Sequence, residues 1–404
     1  MARFWLVLAS STFAGCIFIE DNGGNTDGGT NPGDPDKPTQ GSDDGVLPAT
    51  LSDGNVVLTN RVKDPALPDY VAPEGIDVEV ELTIEPGVII EFGNDTTLLI
   101  DGRAGGVLNA EGTAAEPIVL THPRREAGAW AGVYIDNVEA SLNRLDYVTI
   151  EYGGGQAFGA GLEASNLGVG GFVGNGRIRV TNSMFRNSAS HGIEVEGSSA
   201  LPDFAGNAFS SNAGFDLVIP AEVFGSVADD NAVSPQGISI TGGLIETDAV
   251  WPAISTLWIE EEVVAQARLE LSPGLDLAFG DNVGMVIDGR GDGVLVSVGT
   301  AMEPITFRGQ NGVTWRGLWI DNTVSNSNAI QFAEFQGGGF EAFERDIAAQ
   351  LTIGGFVGTS TIDVRDCTFS STAAGASDIA LQSDADVNED LETANTFDQG
   401  VTTF

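Results

Sequence analysis

The sequence predicts an all-β chain wound as a parallel β-helix, and three observations lead there. Helical patterning is poor, because no long segment carries apolar residues at i, i+3, i+4 and i+7. Short alternating runs are abundant instead, such as "RIRVTNSMF" at 177–185 and "HGIEVEG" at 191–197. Whole phrases also return: "LTIEPGVIIEFG" at 82–93 comes back as "LELSPGLDLAFG" at 269–280, with Pro86 and Pro273 187 positions apart. The 54 glycines among 404 residues mean many turns between many short elements.

The chain opens "MARFWLVLASSTFAGCIFIED". Arg3 is a positive start, and Phe4 to Phe13 form an apolar stretch too short to span a bilayer. Ala14 and Gly15 then precede Cys16. This pattern resembles the lipobox of bacterial lipoproteins, with Phe13 where Leu is usual. The resemblance implies a signal peptide over residues 1–15, cleavage before Cys16 and diacylglyceryl attachment to its sulfur. It also implies a place in the bacterial cell envelope, at the outer membrane or cell surface rather than the inner membrane. A plain signal peptide with an incidental cysteine is the alternative. Residues 20–45, "EDNGGNTDGGTNPGDPDKPTQGSDDG", hold no large apolar residue, so residues 16–47 are read as a disordered acidic tether.

Charge narrows the partners. The 58 acidic against 17 basic residues give a net charge of -41, which argues against nucleic acid, since phosphate binding depends on clustered Lys and Arg. A solvated anionic surface is the simpler reading, and divalent-cation binding the sharper one. Cys16 and Cys367 are the only cysteines, so burial and backbone hydrogen bonds must hold the fold. Cys367, inside "TIDVRDCTFSS", reads as a small buried apolar residue.

The body follows as two related units, 48–235 and 236–404. "LLIDGR" at 98–103 returns as "MVIDGR" at 285–290, and "GVLNAEGTAAEPIVL" at 106–120 as "GVLVSVGTAMEPITF" at 293–307. "WAGVYIDN" at 130–137 returns as "WRGLWIDN" at 315–322, and "GGFVG" at 170–174 recurs at 354–358. Within the first unit, strand fragments follow one another: Val88–Ile90, Leu98–Ile100, Val107–Leu108, Ile118–Leu120, Val133–Ile135 and Tyr147–Ile150. Asn187 and Asn212 each follow a phenylalanine, 25 positions apart, and are read as one repeated corner. Several short strands per period in the low twenties mark a coil stacked on the coil below. Each "PG" is read as a sharp corner, Pro fixing φ and Gly relaxing it.

These phrases, with "LDYVTIEYGG" at 145–154, resemble right-handed parallel β-helix proteins of the pectate-lyase-like superfold over nearly all of 56–404. That superfold hosts polysaccharide lyases, galacturonan hydrolases and esterases, so an active site has to be sought residue by residue. "SHGIEVEGS" at 190–198 resembles the Gly-His-Gly-Ile stretch of polygalacturonases, which would make His191 the support of an acid–base pair. The adjacent Asp pair one coil earlier is missing, and no carboxylate follows Glu163 there. Asp229 and Asp230 come later, and Lys37 and Lys63 are the only lysines. Arg124 and Arg125 form a basic pair that "RGQNG" replaces in the second unit, and His122 reads as a surface or corner histidine. Trp130 and Trp315 recur at matching places, which suits core packing or a sugar-stacking platform.

No catalytic residue is assigned. Arg124, Trp130, His191 and Trp315 stand as ligand-face candidates. No cofactor is expected, Ca²⁺ being the one left open although no Asp-x-Asp-x-Asp-Gly loop occurs. The expected role is a non-catalytic surface or periplasmic binding or adhesion module that contacts polysaccharide or another envelope component. A carbohydrate-active enzyme, lyase or glycoside hydrolase, is the alternative, and a passive scaffold the third.

Overall fold

The computed structural model describes residues 39–40, 44–136, 143–159, 161–171, 175–343, 347–355 and 358–404. The expected signal peptide, Cys16 and most of the expected tether lie outside the described residues. The described chain is all-β with parallel sheets, and its two α-helices, Ala221–Phe224 and Leu391–Ala394, are single turns.

Strands are dealt to the sheets in rotation. In the first half one sheet takes Val56–Leu58, Glu81–Ile84, Val107–Glu111, Arg144–Asp146 and Arg179–Thr181. A second takes Tyr70–Ala72, Ile89–Phe92, Ile118–Thr121, Val148–Glu151, Met184–Arg186 and Ala208–Ser210. A third, thirteen-stranded sheet takes Ile76–Val78, Thr97–Asp101, Gly132–Asp136, Ser165–Gly170 and His191–Val195 among others. As far as His191–Val195 each sheet thus collects every third strand, an arrangement compatible with a β-helix solenoid.

Alternation decides which residues enter the core. On the thirteen-stranded sheet Ile76, Leu98, Val133, Leu167, Ile193, Leu217, Ile238, Leu257 and Leu277 are paired in register from strand to strand. All are buried, because a strand turns every second side chain to the same face. Phe307, Phe335 and Phe369 continue the row, their rings stacked with centroids 4.8 Å apart at each step. That spacing is the separation of neighbouring strands, so the rings stack without leaving their rungs.

Pairing starts earlier than the expected body at residue 48. Thr39–Gln40 lies beside Val56–Leu58, Val46 bridges to Val71, and Leu47 is buried. The thirteen-stranded sheet also runs through the expected boundary at 235/236, since Leu217–Ile219 pairs with Ile238–Ile240.

The repeated phrases make repeated contacts. Gly87 and Gly274 both have positive φ, +79° and +82°. Their amides donate to Glu116 O at 2.9 Å and Glu303 O at 3.0 Å, so each "PG" corner is tied to the "EP" turn of the following coil. Asn143 Oδ1 accepts from Leu108 N and Asn328 Oδ1 from Leu295 N, both at 2.9 Å. One corner differs from expectation. Phe185 pairs with Phe209, a step of 24, so Asn187 matches Ser211 and Ser188 matches Asn212. Asn187 (φ +54°) and Ser211 (φ +57°) supply the left-handed bend, while Asn212 Oδ1 accepts from Ser188 N at 3.2 Å. Asparagine suits both tasks, which makes the two sites look alike in sequence.

Candidate functional site

The first candidate is a polar ladder on the early sheet. Leu145 and Val180 point into the core, which turns Arg144, Asp146, Arg179 and Thr181 outward. Register then lines up Asn109, Arg144 and Arg179 in one row, and Glu111, Asp146 and Thr181 in the next. Arg144 Nη1 sits 2.9 Å from Glu111 Oε1, and Arg179 Nε is 3.5 Å from Asp203 Oδ2. Asp146 Oδ1 accepts from Thr181 Oγ1 and Asn182 Nδ2, both at 2.8 Å. These side chains line a shallow groove of about 180 Å³ that offers guanidinium, carboxylate, hydroxyl and amide groups one rung apart.

The second candidate is covered rather than open. On the outer face of the thirteen-stranded sheet, Tyr134, Gly168 and Glu194 are in register. A segment crossing above carries Phe158, Leu162 and Glu163. Phe158 stacks on Tyr134 at 5.2 Å between centroids, and it lies so close to Gly168 that a Cβ there would be 2.6 Å from Phe158 Cδ2. Glu163 Oε2 meets His191 Nε2 at 3.1 Å. His191 Nδ1 accepts from Phe215 N at 3.0 Å, so the proton of the neutral ring sits on Nε2 and points at Glu163.

Under that segment Glu194 is 7 % exposed, and its Oε2 has no hydrogen-bond partner; the same holds for Glu196 Oε2. Burial, reinforced by the charges of Glu163 and Glu196, pushes the Glu194 carboxyl up to about 7. Burial raises Glu196 as well. It raises the Tyr134 phenol too, helped by the Asp136 charge. The site therefore holds a carboxyl that changes charge near neutral pH.

The residues singled out in the sequence are dispersed. Trp130 and Trp315 are fully buried, stacked on Phe92 at 4.4 Å and on Phe279 at 4.6 Å. Their indole N–H groups donate to Glu151 O at 2.8 Å and Gln336 O at 2.9 Å. Neither has a free ring face for a sugar, so the ligand-face reading of these two gives way to packing. Arg124 and Arg125 are exposed on a turn. His122 is buried beneath that turn, accepting from Arg124 N at 3.1 Å, and burial lowers its pKa, with the Arg124 charge adding to the effect. Asp230 accepts from Gly206 N at 2.9 Å, and Asp229 is exposed. Cys367 is buried, its thiol pushed up to about 12 chiefly by burial. Cys16 lies outside the described residues.

His191 alone joins a cluster, and its partner is Glu163, the carboxylate that sequence spacing set aside. Glu194 was missed because its position in "HGIEV" marks it only as outward-facing. Its burial comes from the segment carrying Phe158, for which alternation gives no signal. Among the described residues, no group of three or more His, Cys, Asp or Glu is arranged to hold a metal ion, and no helix is long and apolar enough to cross a membrane. No family model, curated protein or solved structure matches the chain.

Proposed function

We propose that the chain is a right-handed parallel β-helix of the pectate-lyase-like kind, formed by duplication of the units 48–235 and 236–404. In this reading it is exported, anchored through a lipid on Cys16, and serves as a non-catalytic module that binds polysaccharide or another envelope component. The polar ladder of Arg144, Asp146, Arg179 and Thr181 carries the proposal. An extended polymer laid across stacked strands meets the same kinds of donor and acceptor at each rung, about 4.8 Å apart. The groove is shallow, as suits a chain that is held rather than enclosed. A glycan array probed with the mature protein should give hits that weaken together in Arg144→Ala and Arg179→Ala. An array without hits, or hits untouched by both substitutions, refutes the groove.

One observation favours a second reading, a glycoside hydrolase. Glu194, held near 7, has the acidity of a general acid, and Glu163 and Glu196 are carboxylates close by. In the seated arrangement Glu194 is covered, which ranks this reading below binding. Reducing-end release from pectin or xylan that vanishes in Glu194→Gln would reverse the order.

A further inference from the structure

The covered site has a near-copy elsewhere in the same molecule, and the two are held down differently. In the second half Trp319 takes the place of Tyr134, and Phe343 stacks on it at 5.5 Å as Phe158 does on Tyr134. There the overlying segment is pinned by Arg316. Its guanidinium lies 4.4 Å from the centre of the Phe343 ring, donates to Ala342 O at 3.1 Å and pairs with Glu262 at 3.1 Å. The position in register with Thr352, matching Glu194, is Ala380. That position therefore carries no titratable side chain. In the first half the pin is the His191–Glu163 contact, and the group underneath is a carboxyl with one oxygen, Oε2, left without a partner.

We propose that the segment carrying Phe158, Leu162 and Glu163 is a proton-operated latch: it seats on the sheet while Glu194 is protonated and releases once Glu194, Glu163 and Glu196 all carry charge. The geometry supplies the parts. Glu194 Oε2 is buried without a partner, and the backbone N–H of Glu163 is the one donor set against that burial, so an ionised carboxylate there is poorly stabilised. Glu163 approaches from the segment above, and Glu196 from the same strand end, where Gly161 would bring a Cβ within 2.4 Å of Glu196 Oε1.

The other charged groups facing this space do not neutralise the cluster. Tyr134 lies on the next strand but one, its hydroxyl 3.4 Å from Asp136 Oδ1. Arg103 is committed to Asp136 at 2.9 Å and Asp101 at 3.2 Å. His191 meets the segment through Glu163 and not through Glu194. Asp216, on the following coil, is satisfied by Asn212 and Ser234.

The sign follows from Glu194. A carboxyl raised in the seated state favours seating below its ordinary value near 4.5, and that support fades as pH rises to about 7. Moving the carboxyl from 4.5 to about 7 corresponds to about a 300-fold weakening of seating across this window. Release uncovers the ring faces of Tyr134 and Phe158 together with an acidic shelf.

Hydrogen–deuterium exchange of the intact chain, corrected for intrinsic rates, tests the latch at about pH 5 and about pH 8.5, on either side of the transition. Peptides covering 156–164 should lose protection at the higher pH, while peptides covering Phe340 to Phe343 hold theirs. Glu194→Gln should keep the first segment protected at both pH values. Glu196→Gln, which removes one neighbouring charge, should move the midpoint to lower pH, and it serves also if Glu194→Gln does not fold. Protection that is independent of pH in the unaltered chain, or a loss that persists in Glu194→Gln, overturns the proposal. Equal loss in both segments also overturns it, since that would report general loosening.

Discussion

The strands Gly132–Asp136 and Gly317–Asp321 derive from near-identical phrases, and their shared parts are the ones that hold coils together. In each, the closing aspartate meets an arginine from the strand before: Arg103 bridges Asp101 and Asp136, and Arg290 bridges Asp288 and Asp321. In each, a buried tryptophan stacks on a phenylalanine and donates to a carbonyl of the next coil. They part company on the outer face, where the first half has Glu194 and His191 and the second has Ala380 and Ser377. Contacts that close the stack recur, as does the aromatic pair on the outer face, while the polar groups beneath that pair diverge. The acidic site is therefore a property of one half and not of the architecture.

The largest expected effect tests the shared part. Trp130→Ala and Trp315→Ala should each destabilise the fold by about 3–5 kcal/mol, the cost of emptying a tryptophan-sized space in a core. Urea unfolding of the two variants should give similar losses. A cheap Trp315→Ala beside a costly Trp130→Ala would break the equivalence of the halves.

The arginine bridges come next. Arg290→Ala removes the ion-pair partner of buried Asp321 and of Asp288, which keep the amides of Asn322 and Gln266, so a loss of about 1–2 kcal/mol is expected, moderated by the exposure of the arginine itself. Burial tends to raise the Asp288 carboxyl, but hydrogen bonds from Arg290 and Gln266 and the Arg290 charge hold it below its usual value. A depressed carboxyl contributes stability above its ordinary value that disappears as pH falls through the folded one. The difference between Arg290→Ala and the unaltered chain should accordingly be full above about pH 4 and shrink below it, as melting curves across acid pH can show. A gap that widens in acid would remove Asp288 from the account.

The corner glycines sharpen the comparison. Gly87→Ala and Gly274→Ala both force a side chain into positive φ, at about 1 kcal/mol. Gly87 also has Asn60 Nδ2 only 2.3 Å from where its Cβ would lie, whereas at Gly274 the nearest atom is Glu303 Cβ at 3.6 Å. Gly87→Ala should be the worse of the two, by the few tenths of a kcal/mol that moving a flexible amide costs. Equal thermal shifts would mean that Asn60 moves aside freely.

The smallest effect is on the polar ladder. Arg144 pairs with Glu111 at the surface, so Arg144→Ala should change stability by no more than about 0.5 kcal/mol while affecting any glycan binding. A large loss of stability would turn the ladder from a binding face into a structural one.

Much of this was legible in the sequence by itself. Alternation in "LTIEPGVIIEFG" settles which side chains are buried, because a strand has only two faces, and the phrase's return predicts the return of its corner, down to the Gly87–Glu116 and Gly274–Glu303 bonds. The tertiary structure alone decided what lies beside what. Between Leu217–Ile219 and Ile238–Ile240 the chain forms the helical turn Ala221–Phe224 and single bridges at Val227 and Ala232 but no further strand, and both strands join the thirteen-stranded sheet. As a result Ile89–Phe92 belongs to a six-stranded sheet while its counterpart Asp276–Phe279 belongs to the thirteen-stranded one, and Gly132–Asp136 belongs to that sheet while Gly317–Asp321 lies in the seven-stranded one. Equal phrases thus face different neighbours. Glu194 is the same lesson at the scale of one side chain: its strand turns it outward by local geometry, and only the overlying segment buries it and leaves its Oε2 without a partner.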